Sequence, residues 1–220
     1  MAHILVICAK RYNGHELWTA LGVLQERGHT FEVVSQSLII RDEKTLRPNT
    51  IERTIEHIPL NTTTLIKQFQ GMMIVSGNME DTEAYWVDKR VEFILQTLNA
   101  KKYPIAAICC SVPTLAPIAK GKRVSFYPLV RSRQRLEQFG AILSPVTISI
   151  DKNLVTAEHQ MASEMWVNEY CNLLDGKPPQ YTFTPTGFTP GRRPRKIPLD
   201  IQRVIDREQK LAANKRKLRF

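Results

Sequence analysis

Two adjacent cysteines, Cys109 and Cys110, carry the clearest chemistry in this sequence. They follow the short apolar run 105–108 and pass directly into the small and apolar residues 111–116. This order is typical of a strand, a tight turn and a helix start, which together form a nucleophile elbow. A side chain at such a turn lies above the sheet and near the positive end of the following helix, which favours thiolate over thiol. The sequence therefore predicts a reactive cysteine.

Each of the two thiols also has a simpler interpretation. Free cysteines are among the most buried residue types, so Cys109 has the alternative of a structural core thiol, although the turn favours the reactive interpretation. Cys110 is interpreted first as a packing residue. An adjacent thiol can also trap a sulfenic acid and make the site a redox switch, although a disulfide between neighbouring cysteines is strained.

The N-terminal part of the chain predicts a strand, a helix and a second strand. Residues 3–9 and 31–35 are continuous apolar runs, and residues 16–27 between them carry apolar side chains at helical spacing. Gly28 is placed where a glycine ends a helix. Strands that are apolar on both faces are typical of a parallel sheet with helices on each side.

The rest of the chain continues this alternation. Residues 36–60 predict a more polar excursion with one or two short strands. Strands are predicted at 72–75, 105–108, 124–127, 146–150 and 154–157, and helices at 85–99 and 158–174. The last two strands are joined by a turn at 151–153 and are expected to form a hairpin. The predicted fold class is α/β with a mostly parallel central sheet.

Composition limits the class of protein. At 220 residues, with 43% hydrophobic and 24% charged residues, the chain suits one domain with an appendage. No apolar run approaches the roughly 18 residues needed to cross a bilayer. An apolar strand starts by residue 3 with no signal-like leader, so we expect a cytoplasmic location. The four cysteines, which are Cys8, Cys109, Cys110 and Cys171, lack the spacing of zinc sites, so we predict free thiols and neither metal nor cofactor.

The positive charge is concentrated at the C-terminus. Residues 177–220 hold twelve Lys or Arg against three Asp or Glu, which is +9 of the total +10. We predict a domain at 1–176, a Pro- and Arg-rich linker after it, and a basic helix over 199–220. This tail has three interpretations: a helix docked on the body or on a second subunit, a disordered arm, or a contact with nucleic acid or an anionic surface.

Several segments together resemble the ThiJ/PfpI superfamily, the cysteine-dependent relatives of class I glutamine amidotransferases. The resemblance covers roughly residues 3–175. The segments that carry it are HILVICA, NGHELWTALGVLQERGHTFEVVS, IVSGN, YWVDKRVEFI, AAICCSVPTLA and VTISIDKNLVTA. It implies a flavodoxin-like three-layer α/β sandwich, here with a basic C-terminal extension, and a homodimer.

The resemblance also implies roles for individual residues. Cys109 matches the family's nucleophile, and Glu16 matches its acid on the first helix, twelve positions before the glycine that closes the helix. In such proteins the acid is often protonated and donates a hydrogen bond to the sulfur. The backbone amides of Cys110 and of Gly77 or Asn78 correspond to the oxyanion hole. Without the resemblance, Glu16 would be interpreted as a solvated residue on a helix face.

The sequence departs from the family where a catalytic histidine is expected. Protease-like members place histidine directly after the nucleophile, where this chain has Cys110. Another group places it before a Pro-Leu pair, where this chain has Tyr127. His159 is a candidate replacement, with a polar loop or helix-start residue as the alternative.

A peptidase or amidase needs a general acid for its leaving amine, so the missing histidine lowers that expectation. We expect a hydrolase or lyase that acts on a small carbonyl or acyl substrate, either glyoxalase/deglycase-like or amidohydrolase-like. The alternative is a non-catalytic stress- or redox-sensing or chaperone-like member whose basic tail binds a partner.

Overall fold

The computed structural model describes residues 1–180. The strands are β1 (His3–Cys8), β2 (Arg11–Tyr12), β3 (Thr30–Ser35), β4 (Ile39–Asp42), β5 (Pro48–Thr50), β6 (Arg53–Thr54), β7 (Gly71–Val75), β8 (Ile105–Ile108), β9 (Arg123–Val124), β10 (Ile142–Leu143), β11 (Ile148–Asp151) and β12 (Leu154–Ala157). The α-helices are α1 (Gly14–Glu26), α2 (Thr62–Gln68), α3 (Met79–Ala84), α4 (Lys89–Ala100), α5 (Val130–Gln138) and α6 (Ser163–Leu174). Short 3-10 helices cover Ile55–His57, Cys109–Ile118 and Gln160–Ala162.

Seven strands form the central sheet, in the order β11-β12-β8-β7-β1-β3-β6. Neighbouring strands are parallel except for the β11–β12 hairpin. In the middle of the sheet, Val6 of β1 pairs with Met73 of β7 and with Val33 of β3. The predicted mostly parallel sheet and the C-terminal hairpin are confirmed.

Successive side chains of the apolar strands pack against helices on opposite faces of the sheet, because successive residues of a strand point to opposite faces. Leu5 and Ile7 of β1 join the core under α2 and α4. Ile4 and Val6 join the core under α1 and α6, with Trp166 as its largest member. Helices therefore cover both faces of the sheet, as the three-layer prediction requires.

Several element boundaries differ from the sequence-based prediction. The helix predicted at 85–99 begins only at residue 89, because Asp88 caps it by accepting hydrogen bonds from the amides of Arg90 (2.8 Å) and Val91 (3.1 Å). The strand predicted at 124–127 is wrong beyond Val124, and β9 pairs with β10 outside the central sheet. The helix predicted at 158–174 is divided, with α6 following a short 3-10 turn.

Helices α2, α3 and α5 and the two-residue strands β2 and β10 are absent from the sequence-based prediction. Within residues 1–180, no helix is both long enough and apolar enough to cross a membrane. The interpretations of the basic tail concern residues 181–220, which lie outside the described residues.

The topology brings a set of loops together at one edge of the sheet. Strands β1, β7 and β8 run in the same direction and end at Cys8, Val75 and Ile108. The carboxyl edge of a parallel sheet is where α/β proteins build their sites. The segment between β1 and α1, the turn after β7 and the paired cysteines therefore meet at this edge.

Candidate functional site

Cys109 is placed by a strained turn directly after β8. Its φ angle is +58°, in the left-handed region that costs a non-glycine residue about 1 kcal/mol or more. Ser111 fixes the turn from inside: its hydroxyl oxygen accepts a hydrogen bond from the Ile108 amide at 3.1 Å and lies 2.8 Å from the Ile74 carbonyl oxygen, to which it donates. Cys109 is half-buried, whereas Cys110 is only 4% exposed.

The helix expected after the elbow is a 3-10 helix over Cys109–Ile118. Its segment contains Pro113 and Pro117, and proline has no amide hydrogen to donate to a helical hydrogen bond. The first amides of the segment remain directed toward the turn, because the first donors of any helix lack partners within it.

Glu16 is completely buried beside this turn. The side chain of Asn13 caps α1 by accepting a hydrogen bond from the Glu16 amide at 3.2 Å, which fixes where the helix begins. Burial raises the pKa of Glu16 from 4.5 to about 8, although hydrogen bonds from Ser76 favour the carboxylate. His15, the next residue back, is exposed, as expected for successive helix positions.

The thiol groups of Cys109 and Cys110 are hydrogen-bonded to each other. This bond lowers the pKa of Cys110 to about 7, because the Cys109 thiol stabilises a thiolate on its neighbour while burial opposes it. The same bond, together with burial and the nearby charges of Cys110 and Glu16, raises the pKa of Cys109 well above its usual value. Of the two thiols, Cys110 is therefore the one that loses its proton more readily.

Backbone groups of both turns lie against the paired sulfurs. The Cys110 amide lies against the Cys109 sulfur, and the Cys110 thiol donates to the Gly77 carbonyl oxygen at 3.7 Å. The Asn78 amide donates to the Arg11 carbonyl oxygen at 2.7 Å and is not free. The Asn78 amide is thus engaged within the structure, and the assignment of the Gly77 or Asn78 amide to an oxyanion hole stays a prediction.

Gly77 is required by the close approach of the β1–α1 connection. A Cβ atom at this position would collide with the Arg11 carbonyl group and the Cα atom of Tyr12. Tyr12 and Gly77 form an isolated antiparallel bridge, in which the Asn13 amide also donates to the Ser76 carbonyl oxygen at 2.9 Å. This bridge holds the turn after β7 against the cysteine turn.

Two side chains that the sequence analysis did not assign to the site hold the elbow from the outside. The indole nitrogen of Trp86 donates to the Cys110 carbonyl oxygen at 3.0 Å. Arg135 donates to the Pro113 carbonyl oxygen at 3.1 Å and also to the Trp86 carbonyl oxygen. No pattern in the sequence indicates this role for Trp86 or Arg135, because their contacts join residues far apart in the chain.

The other two candidate residues, Tyr127 and His159, lie beside each other. Their ring centroids are 6.3 Å apart with planes tilted by 38°. The Nδ1 atom of His159 accepts a hydrogen bond from the Met161 amide at 3.1 Å, so the residue caps the short helix Gln160–Ala162. This contact supports the helix-start interpretation of His159.

Glu43 was also missed by the sequence analysis. This half-buried residue follows β4, and its amide donates to the Tyr12 carbonyl oxygen at 2.9 Å. Burial raises the pKa of Glu43, and its charge adds to the rise at Glu16. Within residues 1–180, no group of three or more His, Cys, Asp or Glu side chains is arranged to hold a metal ion.

Comparisons with known proteins place this geometry in a family. The model of the DJ-1/PfpI family matches residues 2–173. An uncharacterized protein of Methanocaldococcus jannaschii is 27% identical over 158 residues, which cover 70% of this chain and 73% of that protein.

Solved structures agree at the level of the fold. A ThiJ/PfpI domain protein from Brachyspira murdochii has a TM-score of 0.69 at 16% identity, over 80% of this chain and 98% of that one. DJ-1 of Schizosaccharomyces pombe has a TM-score of 0.68 at 15% identity, over 81% and 93% of the two chains. A putative protease I from Bacteroides thetaiotaomicron has a TM-score of 0.67 at 16% identity, over 79% and 99%. The family model, which covers most of the chain, shows that this protein belongs to the DJ-1/PfpI family.

Proposed function

We propose that this protein is a cysteine-dependent hydrolase or lyase that acts on a small carbonyl or acyl substrate. One observation carries the proposal: the Cys109 thiol stands on a strained turn, hydrogen-bonded to Cys110 and next to the buried acid Glu16. Strain and perturbed titration at one place are typical of functional sites.

Cys109 acts as the nucleophile. Its sulfur attacks the carbonyl carbon, and its proton passes to the Cys110 sulfur to which it is already hydrogen-bonded. Cys110 thereby does the work of the histidine that protease-like relatives have after the nucleophile. We assign the oxygen anion formed on the substrate to the amides of Cys110 and Gly77, whose positions are fixed by the elbow and by the bridge between Tyr12 and Gly77.

Glu16 stabilises the site as a neutral acid. Because its pKa is about 8, it is mostly protonated at pH 7 and adds little repulsion to a nearby thiolate. Its Oε2 atom accepts hydrogen bonds from Ser76, so the acidic proton belongs on Oε1, which has no hydrogen-bond partner among the described residues. This O–H group makes no hydrogen bond with the Cys109 sulfur, so Glu16 acts on the thiol through its charge state and not as a hydrogen-bond donor.

The substrate class follows from the acids and bases that are present. A thiol pair and a carboxylic acid supply proton transfer over short distances, whereas His159 is engaged as a helix cap. Aldehydes, 2-oxoaldehydes and activated acyl groups have no amine to expel, so they suit this set of groups better than amides do.

A non-catalytic role is the second candidate. The observation that favours it is the raised pKa of Cys109, which keeps the accessible thiol protonated in the resting protein. In this case the oxidation of Cys109, or a partner of the C-terminal tail, would be the function.

Turnover with a small-molecule panel distinguishes the two candidates. Wild type, Cys109→Ala and Cys171→Ala are compared for consumption of methylglyoxal, simple aldehydes and small thioesters. Cys171 is a fully buried thiol of α6 and serves as the matched control. We expect Cys109→Ala to lose about a hundredfold or more in rate while Cys171→Ala retains activity. Equal activity in all three proteins, or none with any substrate, contradicts the enzymatic proposal.

Organisation and assembly complete the proposal. We propose residues 1–176 as the catalytic domain and the following residues as a linker and basic helix that contacts a subunit or, as alternatives, nucleic acid or an anionic surface. The free state of all four cysteines supports a reducing compartment such as the cytosol. A homodimer is expected from the family resemblance, and light scattering of the full chain tests it.

A further inference from the structure

We propose that Cys110 is a resolving thiol: after a hydroperoxide oxidises Cys109, Cys110 captures the product as a reversible Cys109–Cys110 disulfide that blocks the site. The proposal rests on the proposed function in one respect, namely that Cys109 is the accessible, reactive thiol. It adds a second activity to the same pair of residues.

The exposures of the two residues set the order of events. Cys109 is half-buried, whereas Cys110 is only 4% exposed. A peroxide arriving from solvent therefore reaches Cys109 first, and Cys110 stays protected behind it. The two thiols are within hydrogen-bond contact, so the resolving sulfur is already in place when Cys109 is oxidised.

The other cysteines do not compete for this role. Cys8 and Cys171 are fully buried in the core between the sheet and the layer of α1 and α6. Both residues have no exposed surface, whereas Cys109 is half-buried, so a peroxide from solvent reaches Cys109 before either of them.

The reaction balances with one hydroperoxide as the oxidant. The Cys109 proton passes to the Cys110 sulfur, the Cys109 thiolate attacks the outer oxygen, and the O–O bond breaks. The leaving alkoxide takes the proton from Cys110 and departs as an alcohol. Cys109 is then a sulfenic acid. The Cys110 thiolate attacks the Cys109 sulfur, an S–S bond forms, the S–OH bond breaks, and the hydroxide takes a proton and leaves as water. Two electrons pass from the two thiols to the peroxide.

Strain makes this disulfide a temporary one. Neighbouring Cα atoms are about 3.8 Å apart, below the range of about 4.4 to 6.8 Å that relaxed disulfides span. A strained disulfide has a more oxidising potential and is returned to thiols by small cellular thiols. The strain therefore argues against a permanent structural disulfide. It is compatible with a disulfide that forms during oxidation and is reduced afterwards.

The consequence of the disulfide is protection of the nucleophile. A sulfenic acid that waits for a second peroxide becomes a sulfinic acid, which ordinary thiols do not reduce. Capture by a sulfur that is already in contact competes with this second oxidation. The protein therefore loses its Cys109-dependent activity reversibly when it is treated with peroxide.

Peptide mass spectrometry of the peroxide-treated full chain tests the proposal. Wild type should lose two hydrogen atoms in the peptide that holds both cysteines, and dithiothreitol should restore it. Cys110→Ser should instead gain oxygen at Cys109 and form a dimedone adduct, with about tenfold more sulfinic acid than wild type. Cys110→Ala repeats the test in case serine disturbs the turn, and Cys171→Ser is the control that should behave as wild type.

A parallel reaction with iodoacetamide separates this proposal from the proposed function. If Cys109 is alkylated but peroxide converts wild type and Cys110→Ser equally to sulfinic acid, the resolving role is overturned and the proposed nucleophile stands. A disulfide that joins Cys109 to Cys8 or Cys171 also overturns it. If Cys109 reacts with neither reagent, both proposals fail.

Discussion

Glu16 receives two hydrogen bonds from Ser76, a residue sixty positions later in the chain. The Ser76 amide donates to Oε2 at 2.9 Å and the Ser76 hydroxyl donates to the same atom at 2.7 Å. The other carboxyl oxygen has no hydrogen-bond partner among the described residues. One residue after β7 therefore orients the acid and leaves its second oxygen to carry the proton.

The first prediction concerns stability against pH. The pKa of Glu16 is about 8 in the folded protein, whereas its ordinary value is 4.5. Between these two pH values the folded protein carries a proton on Glu16 that the unfolded protein has lost. The stability contributed by the neutral acid is fully present below pH 4.5 and is lost as the pH rises through about 8. In urea unfolding at pH 5 and pH 8.5, Glu16→Gln should gain stability relative to wild type at the higher pH.

Glu26→Gln is the matched control for this prediction. Glu26 lies on the same helix but is exposed, so its substitution should shift stability by less than about 0.5 kcal/mol at either pH. A stability difference between Glu16→Gln and wild type that is the same at both pH values would show that Glu16 is charged in the folded state.

The second prediction concerns Gly77. Gly77→Ala places a methyl group against the backbone of Arg11 and Tyr12, which has no room to receive it. We expect a loss of about 2 kcal/mol or more in the free energy of unfolding, and slower alkylation of Cys109, because the turn that supplies the amide is displaced. Urea unfolding and iodoacetamide kinetics measure the two effects.

Gly22→Ala provides the opposite control. Gly22 lies inside α1, and a Cβ there meets nothing within 4 Å, so alanine should stabilise the helix by about 0.5 to 1 kcal/mol. Gly77→Ala with wild-type stability and wild-type alkylation would contradict the close approach at the turn.

Apolar patterning was sufficient to predict the central sheet. Strands β1, β7 and β8 are short apolar runs whose side chains are buried on both faces, and this is the strongest signal that a parallel strand has. The short strands β9 and β10 have two residues each and no periodicity to detect. Helix α5 is rich in arginine and has only Ser132 and Leu136 buried, so it lacks an apolar stripe.

The candidate site was predictable only in part. The order of residue types pointed to Cys109, and the family resemblance supplied Glu16 and the two turns. The partners of these residues depend on which loops meet at the edge of the sheet. No local sequence pattern indicates which loops these are. The bond from the Asn78 amide to Arg11 and the indole bond of Trp86 are such contacts. Site roles for Cys109, Glu16, Tyr127 and His159 stay predictions.

The third prediction concerns His159. Asparagine is a good N-cap residue, so His159→Asn keeps an acceptor for the Met161 amide while it removes the imidazole. We expect turnover and the pH profile of Cys109 alkylation to remain within about twofold of wild type, because the thiol pair performs the proton transfer. Loss of turnover in a variant with a wild-type melting temperature would instead identify His159 as the general acid or base.

The last prediction separates positioning from stability at the elbow. Trp86→Phe removes the hydrogen bond to the Cys110 carbonyl oxygen, and Trp166→Phe removes a similar bond to the Val155 carbonyl oxygen at 3.2 Å, far along β12. Each change should cost about 1 kcal/mol in unfolding free energy, since each removes one buried hydrogen bond. Only Trp86→Phe should slow alkylation of Cys109, because only that indole holds the strained turn. Equal alkylation rates in the two variants would show that the turn holds its geometry without Trp86.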